Sequence, residues 1–155
     1  MEQRVLDHYE QGGAILRKAI AGLDRGQLLA HPVPGTWSIQ QNVVHLMDAD
    51  LIWTARMKRI IAEDNPLLIG YDQSRFAAGL HYEGQAAEDV VTVFDLNRRL
   101  FAGVLRKLPA EAFERTGIHN EAGKISLAFC VQSMASHVDH HAGFILRKRA
   151  MLENR

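Results

Sequence analysis

The sequence has little cysteine and carries no excess charge of either sign. Only one of its 155 residues is a cysteine, Cys130, so the chain cannot form an internal disulfide. Eighteen basic residues balance eighteen acidic ones, which excludes the net positive field that favours binding to a phosphate backbone. We therefore expect no nucleic-acid partner. Because Cys130 lies in an apolar stretch, we expect a buried structural thiol rather than a nucleophile.

Long apolar runs are absent as well. No run of about 18 apolar residues and no charged-then-apolar leader occurs, so we expect no membrane segment and a cytoplasmic protein. The composition, 47% hydrophobic and 23% charged, is that of an ordinary globular protein. We predict a single domain over residues 1–155, because a domain of this length buries roughly 70% of its unfolded surface.

Helices are predicted to dominate the fold. Apolar residues recur at spacings of three to four, whereas alternation with a period of two is scarce, so we predict an all-α protein. The predicted ranges of its four long helices are 2–22, 38–63, 85–108 and 126–153. Gly12 and Gly13 are expected to weaken or kink the first helix. The second begins at Ser38, because Ser38 and Gln41 have the spacing of a capping box.

The connections between these helices differ in length. Residues 23–36, with two prolines, are predicted to form a loop with one short turn, and residues 116–124, with two glycines, another loop. Residues 64–84 form the longest connection. Twenty extended residues span about 65 Å, which is enough to follow a whole helix and leave helices two and three parallel. The sequence therefore predicts a four-helix bundle with a long crossover.

Two histidines share the core face of the last predicted helix. With Met134 at zero on a helical wheel, His141 falls at about −20°, His137 at about −60° and His140 near −120°. The apolar stripe lies within about 60° of zero and comprises Leu127, Cys130, Val131, Val138 and Ile145. The i,i+4 spacing of His137 and His141 suits one divalent ion such as Zn²⁺. The alternative is a hydrogen-bonded pair without a metal.

Helix two offers two candidates for a third ligand. With Leu46 at zero, Asp50 falls at about 40°, within the apolar stripe, and His45 near −100°, so periodicity favours Asp50. A buried carboxylate needs a partner, so Asp50 could be a metal ligand, a residue that orients a ligand, an acid/base catalyst or half of a helix-to-helix salt bridge. His45 would lie along a seam with a neighbouring helix, and Asp48 points outward.

Two blocks of the sequence resemble the DinB/YfiT-like superfamily of small bacterial four-helix bundles, across nearly the whole chain. The first block is Pro34-Gly35-Thr36-Trp37-Ser38-Ile39 with His45-Leu46 and Asp48, and the second is His137-Val138-Asp139-His140-His141. The resemblance implies that His45, His137 and His141 bind the metal, with His140 outside the ligand set. For the third ligand, we follow the resemblance, which implies His45, rather than the helical wheel, which favours Asp50. It also implies an up-down-down-up topology, a homodimer and a loop anchored by Trp37.

The resemblance implies metal-dependent chemistry on a small molecule without fixing the reaction. Characterised relatives include transferases and isomerases that use low-molecular-weight thiols such as bacillithiol or mycothiol. We expect a divalent ion, zinc, nickel or manganese, with such a thiol as a candidate second cofactor. An ion of this kind lowers the pKa of a thiol or water, which suits thiol transfer or hydrolysis. The alternative is a non-catalytic metal-binding or dimerising bundle, which a complete set of four protein ligands would favour.

The remaining histidines and the last basic cluster receive structural interpretations. His8, His31, His81 and His119 have no partner at ligand spacing, so we interpret them as structural or solvated. Arg147, Lys148 and Arg149 come near the end of the last helix, where cations commonly offset the helix dipole.

Overall fold

The computed structural model describes residues 1–153 and contains four long helices at the predicted positions. The helices are α1 (Gln3–Ile20), α2 (Arg25–Leu29), α3 (Ile39–Ala62), α4 (Gln73–Gly79), α5 (Ala87–Leu105) and α6 (Leu127–Glu153). Short 3₁₀ turns cover Tyr82–Gly84 and Ala110–Glu114. The long helices α1, α3, α5 and α6 form the bundle, so the prediction of an all-α four-helix bundle is confirmed.

Contacts near the helix ends give the direction of α1, α3 and α5. Arg106, just after α5, forms an ion pair with Asp7 near the start of α1, so α1 and α5 are antiparallel. Gln40 at the start of α3 donates to the carbonyl of Gln85, just before α5. Helices α3 and α5 therefore run parallel, as the long crossover between them allows.

Helix α6 completes the predicted topology. Lys148 near its end donates to Thr36, just before α3, so α6 runs antiparallel to α3. Helices α1 and α3 each pack against both α5 and α6, which places α1 and α3 diagonally across the bundle. The result is the predicted up-down-down-up arrangement.

The prediction of a loop over residues 116–124 is wrong, because this segment belongs to a small sheet. Strand β1 (Leu67–Leu68) pairs in parallel with β2 (Thr116–His119), and β2 pairs antiparallel with β3 (Gly123–Ser126). Strands this short, paired between distant segments, leave no clear period in the sequence. Gly117 is needed here, since a Cβ at this position would lie 2.9 Å from the Cδ1 atom of Leu68.

The two glycines of α1 permit close packing and do not break the helix. Helix α1 is continuous through Gly12 and Gly13, so the expected disruption is absent. A Cβ at Gly12 would collide with the guanidinium of Arg98, and one at Gly13 with the carboxylate of Asp95. The glycines therefore allow side chains of α5 to reach the backbone of α1.

A buried ion pair joins all four long helices. The side chains of Arg98 in α5 and Asp50 in α3 are both 0% exposed, and Nε donates to Oδ1 over 2.8 Å. The other guanidinium nitrogens donate to the carbonyls of Tyr9 in α1, at 3.2 Å, and Met134 in α6, at 2.7 Å. The Asn97 amide donates to the second oxygen of Asp50 at 2.6 Å. Of the roles considered for Asp50, this arrangement corresponds to the helix-to-helix salt bridge.

Two clusters of buried apolar side chains fill the bundle. Cys130 lies in one of them and is 0% exposed. Burial raises the pKa of its thiol to about 11, so the thiol stays protonated at neutral pH. No helix within residues 1–153 is both long and apolar enough to cross a membrane.

Candidate metal centre

The start of α3 is fixed by the predicted capping box. The Ser38 hydroxyl accepts a hydrogen bond from the Gln41 backbone at 3.1 Å, and the Gln41 side chain accepts one from the Ser38 backbone at 2.8 Å. This reciprocal pair satisfies two backbone donors that the first turn would otherwise leave unpaired. It places Asn42 and His45 on the first two turns of α3, where they meet α6.

His45, His137 and His141 come together between α3 and α6. Each offers one ligand nitrogen, and the three nitrogens lie within 4.8 Å of one another. The ring of His45 lies 5.2 Å from that of His137 and 4.7 Å from that of His141, measured between centroids. The rings of His137 and His141 are 4.6 Å apart. Trp37 packs on His45 at 4.9 Å from the side of the preceding loop.

Asn42 sets the orientation of His141. The Asn42 amide nitrogen donates to the carbonyl of Ser38 at 2.8 Å, so its oxygen Oδ1 points the other way. That oxygen lies 2.9 Å from Nδ1 of His141. Since an amide oxygen only accepts, Nδ1 of His141 carries the proton, and Nε2 is left with a free lone pair. A histidine held in this way is a typical metal ligand.

The other two histidines each have a nitrogen that lacks a partner. Among residues 1–153, Nδ1 of His45 and Nδ1 of His137 are buried without a hydrogen bond. An unsatisfied buried polar group costs about 1–3 kcal/mol. A divalent ion held by these histidines would offset that cost, and three imidazoles are a donor set that zinc and similar ions accept. The residues present therefore fit a metal ion.

The electrostatics of the cluster keep its lone pairs available. Burial lowers the pKa of His45 to about 4, with a smaller contribution from His141. Burial, with smaller contributions from neighbouring histidines, also lowers the pKa of His137 to about 4 and that of His141 to about 3. All three imidazoles are thus neutral at pH 7, as metal coordination requires.

The cluster lies between two cavities. The larger one, about 810 Å³, is lined by His137 and His141 together with Trp37, Phe144 and Lys148. The smaller one, about 220 Å³, is lined by His45 and His137, by Trp53 and Arg56 of α3, and by residues of the crossover and β-hairpin, which are Gly70, Tyr71, Gln73, His119 and Glu121. Since His137 lines both, a small molecule could reach the cluster from either cavity.

His119 belongs to this second cavity, although its position in the sequence gave no reason to select it. It is 7% exposed and stacks on Trp53 with the rings 6.1 Å apart and nearly parallel. Its Nδ1 atom accepts hydrogen bonds from the backbone nitrogens of Glu121 and Ala122 at 3.2 and 3.3 Å. In the neutral ring, the proton is therefore on Nε2. The tight end of the β-hairpin, which stands in place of the predicted loop, creates this arrangement.

Other residues singled out from the sequence lie outside the cluster. Asp50 pairs with Arg98 instead of a histidine. Burial raises the pKa of Asp50, while Arg98 and Asn97 oppose that rise. His140 is exposed and packs on Phe144, with ring centroids 4.6 Å apart, consistent with a place outside the ligand set. Asp48 accepts a hydrogen bond from Tyr82 at 2.6 Å.

The interpretation of the last basic cluster as a response to the dipole of its own helix is wrong. In the described part of the chain, helix α6 extends to Glu153, and the last turn before Glu153 contains no basic residue. Arg149 instead donates to the carbonyls of Ala19 and Ala21 at the end of α1. Lys148 is buried at the rim of the larger cavity.

Several proteins of known name resemble this chain in sequence. A protein of Oceanobacillus iheyensis named "Putative metal-dependent hydrolase" is 29% identical over 131 residues, which are 84% of this chain and 76% of that protein. A Bacillus cereus protein of the same name is 32% identical over 136 residues, or 86% of this chain and 78% of that protein.

Solved structures show the same fold. YfiT from Bacillus subtilis, described as "a probable metal-dependent hydrolase with an unusual four-helix bundle topology", superposes with a TM-score of 0.92 at 20% identity, covering 99% of this chain and 90% of that chain. A mycothiol-dependent maleylpyruvate isomerase superposes with a TM-score of 0.71 at 11% identity, covering 91% and 59%. The family model described as the DinB superfamily matches residues 8–145. This chain therefore belongs to the DinB superfamily.

Proposed function

We propose that this protein is a divalent-metal-dependent hydrolase that acts on a small molecule. The observation that carries the proposal is the set of three neutral histidines between two cavities, of which His45 and His141 are buried and His137 is half-buried. Within residues 1–153, no fourth histidine, cysteine or carboxylate joins the group formed by His45, His137 and His141. Three protein ligands leave a coordination position open, which is typical of catalytic rather than structural sites. The names of the sequence relatives agree with this assignment.

The residues around the cluster have separable roles in this proposal. A divalent ion bound there would lower the pKa of a water molecule and so supply a nucleophile at neutral pH. Asn42 holds His141 in the tautomer that leaves Nε2 free. Trp37 covers one side of His45 and limits the access of bulk water. Zinc, nickel and manganese all remain candidates for the ion.

His119 is our candidate proton donor. It lines the same cavity as His45 and His137, and its Nδ1 atom is occupied by two backbone donors. The Nε2–H group is therefore the one available to hydrogen-bond with a substrate and to protonate a leaving group. The acid/base role predicted for Asp50 remains a prediction, and the contacts of Asp50 with Arg98 and Asn97 favour a structural role.

The metal content of the purified protein tests the proposal first. We expect about one ion per chain by elemental mass spectrometry, lost in His45→Ala and in the double variant His137→Ala/His141→Ala. His140→Ala is the matched control, since it removes an exposed histidine of the same helix. Wild type that stays metal-free after incubation with Zn²⁺, Ni²⁺ and Mn²⁺ would overturn the proposal. Metal-loaded protein is then assayed for hydrolysis of esters and amides.

Thiol transfer is a second candidate that the same site supports. The cavity of about 810 Å³ is large enough to hold a low-molecular-weight thiol beside a small substrate. The shared fold with a mycothiol-dependent isomerase is consistent with this chemistry. Turnover of an electrophile that requires added bacillithiol or mycothiol would favour transfer, whereas turnover without any thiol favours hydrolysis. A metal-loaded protein that performs neither reaction would favour the non-catalytic alternative.

A homodimer in the cytoplasm completes the proposal. Helix α5 exposes an apolar stripe formed by Val93, Leu96, Leu100 and Val104, of which Leu100 is 74% exposed. Contiguous apolar residues on a helix surface commonly mark a site of association. We propose that a second copy of the chain covers this stripe.

A further inference from the structure

The larger cavity has a positively charged wall without acidic residues. Arg147 and Lys148 line it, and no aspartate or glutamate is among its lining residues in the described part of the chain. Neither side chain forms an ion pair with a carboxylate of residues 1–153. The whole sequence has equal numbers of acidic and basic residues, so this imbalance is local.

Of the two cations, Lys148 is the unusual one, because lysine side chains are rarely buried. It is only 6% exposed, and its ammonium donates to the hydroxyl of Thr36 at 2.6 Å. A hydroxyl carries no charge, and a buried cation without a counter-ion is costly. Burial accordingly lowers the pKa of Lys148. An anion in the cavity would supply the missing counter-charge.

The rest of the cavity favours an organic anion over a simple inorganic one. Val33, Trp37, Phe144 and Met151 provide apolar walls, and Arg147 lies over the ring of Phe144 with its guanidinium carbon 4.9 Å from the centroid. The volume of about 810 Å³ is in the range of small-molecule sites. A ligand with an apolar body and one charged end matches these walls.

Lys148 and the metal-site histidine His141 are separated by a fixed distance, because both lie on α6. Lys148 follows His141 by two helical turns on α6, which is about 10 Å along the helix axis. We propose that this cavity binds a small organic anion whose charged head lies against Lys148 and Arg147, while its other end reaches His137 and His141. The placement of the ligand's other end at the histidines rests on the proposed function, but the binding of its charged head does not.

Binding to the metal-loaded protein tests the assignment without requiring turnover. We would titrate 3-phenylpropanoate and its neutral amide by calorimetry, and phenyl phosphate in parallel to distinguish a phosphate head from a carboxylate. We expect the acid to bind about tenfold more tightly than the amide, as one charge-assisted hydrogen bond provides. Lys148→Met should remove most of this preference, Lys148→Met/Arg147→Met should remove all of it, and Lys148→Arg should keep most of it. Lys124→Met, on the exposed hairpin, is the matched control.

The metal content of each variant must be equal, because a carboxylate can also bind the ion directly. Equal affinities for acid and amide in the wild type would overturn the assignment, as would no binding of any probe. A preference that persists in metal-loaded Lys148→Met/Arg147→Met would overturn it too. Binding of the acid that depends on Lys148, in a protein that hydrolyses no ester or amide, would contradict the proposed function and leave the anion site established.

Discussion

The Nδ1 atom of His141 and the Oδ1 atom of Asn42 lie 2.9 Å apart, a contact that joins α6 to α3. We predict that Asn42→Ala weakens metal binding by about 10- to 100-fold, because the substitution frees the His141 ring to rotate and change tautomer. Competition with a coloured zinc chelator measures the affinity.

The variant Asn42→Asp distinguishes a loss of His141 orientation from a general loss of structure. An aspartate keeps an acceptor oxygen opposite Nδ1, so we expect this variant to bind metal at least as tightly as the wild type. Gln132→Ala, on the exposed face of α6, serves as the control. Equal affinity of Asn42→Ala and wild type would show that His141 needs no orienting partner.

The Arg98–Asp50 pair is expected to contribute strongly to stability only while both partners are present. Arg98→Met leaves a buried carboxylate without its counter-ion and should lower the free energy of unfolding by about 3–5 kcal/mol. The double variant Arg98→Met/Asp50→Leu should recover part of that loss. Urea unfolding followed by circular dichroism measures both. Glu63→Ala, which breaks the exposed Arg59–Glu63 pair, is the control and should cost less than about 1 kcal/mol.

Asp50→Asn tests the remaining catalytic prediction for the same residue. If the role of Asp50 is structural, activity should fall only as far as stability and metal content fall. Full metal content and full stability with lost turnover would instead support an acid/base role.

Cys130 should make the protein less stable at alkaline pH. The unfolded thiol ionises above about pH 8.5, whereas the folded thiol keeps its proton up to a pKa of about 11. The unfolded state therefore releases the proton first, and stability falls as pH rises between these two values. At pH 10 the free energy of unfolding should be lower than at pH 7 by about 2 kcal/mol from this group alone. Cys130→Ala should show a smaller loss over the same interval in urea unfolding, and an identical loss would contradict the prediction.

His119 should affect turnover without affecting metal content. His119→Phe keeps an aromatic ring against Trp53 but removes the Nε2–H donor. We expect kcat to fall about 100-fold or more on a substrate whose leaving group needs a proton. Elemental mass spectrometry and kcat measured on the same preparation check both statements. An unchanged kcat would remove His119 from the mechanism.

The stripe on α5 should determine the oligomeric state. Leu100→Glu places a charge on the most exposed leucine of the stripe, so we expect light scattering to show a monomer where the wild type shows a dimer. Leu146→Glu, at a 53% exposed leucine of α6, is the control and should leave the dimer intact. A wild type that is already monomeric would contradict the proposal.

The helices and the histidine pair of α6 could be predicted because both depend on local spacing. The capping box at Ser38 is a contact between neighbours in sequence, and so is the i,i+4 relation of His137 and His141. The helical wheel misjudged α3, however. This helix packs against both α5 and α6, so a wide arc of its surface is buried, and His45 faces α6 while Asp50 faces α5. A wheel gives one average direction and cannot separate two neighbours.

The rest of the site depends on contacts between distant segments. Asn42 orients a histidine of α6, Lys148 meets Thr36, and His119 reaches its cavity through a hairpin that pairs with the crossover. None of these contacts produces a repeating pattern in the sequence. Asparagine one turn before His45 was the available local signal for an orienting partner, since both side chains project from one side of the helix.

The guanidinium of Arg98, which contacts α1, α3 and α6, also determines the position of these helices along the bundle axis. Apolar contacts are non-directional, so they do not by themselves distinguish one axial position of a helix from another that is shifted by one turn, about 5.4 Å. Such a shift of α1 or α6 would carry the carbonyl of Tyr9 or Met134 out of reach and leave a guanidinium unsatisfied in the core. Arg98 thus fixes the axial register of the bundle, and with it the height at which His45 meets the histidines of α6.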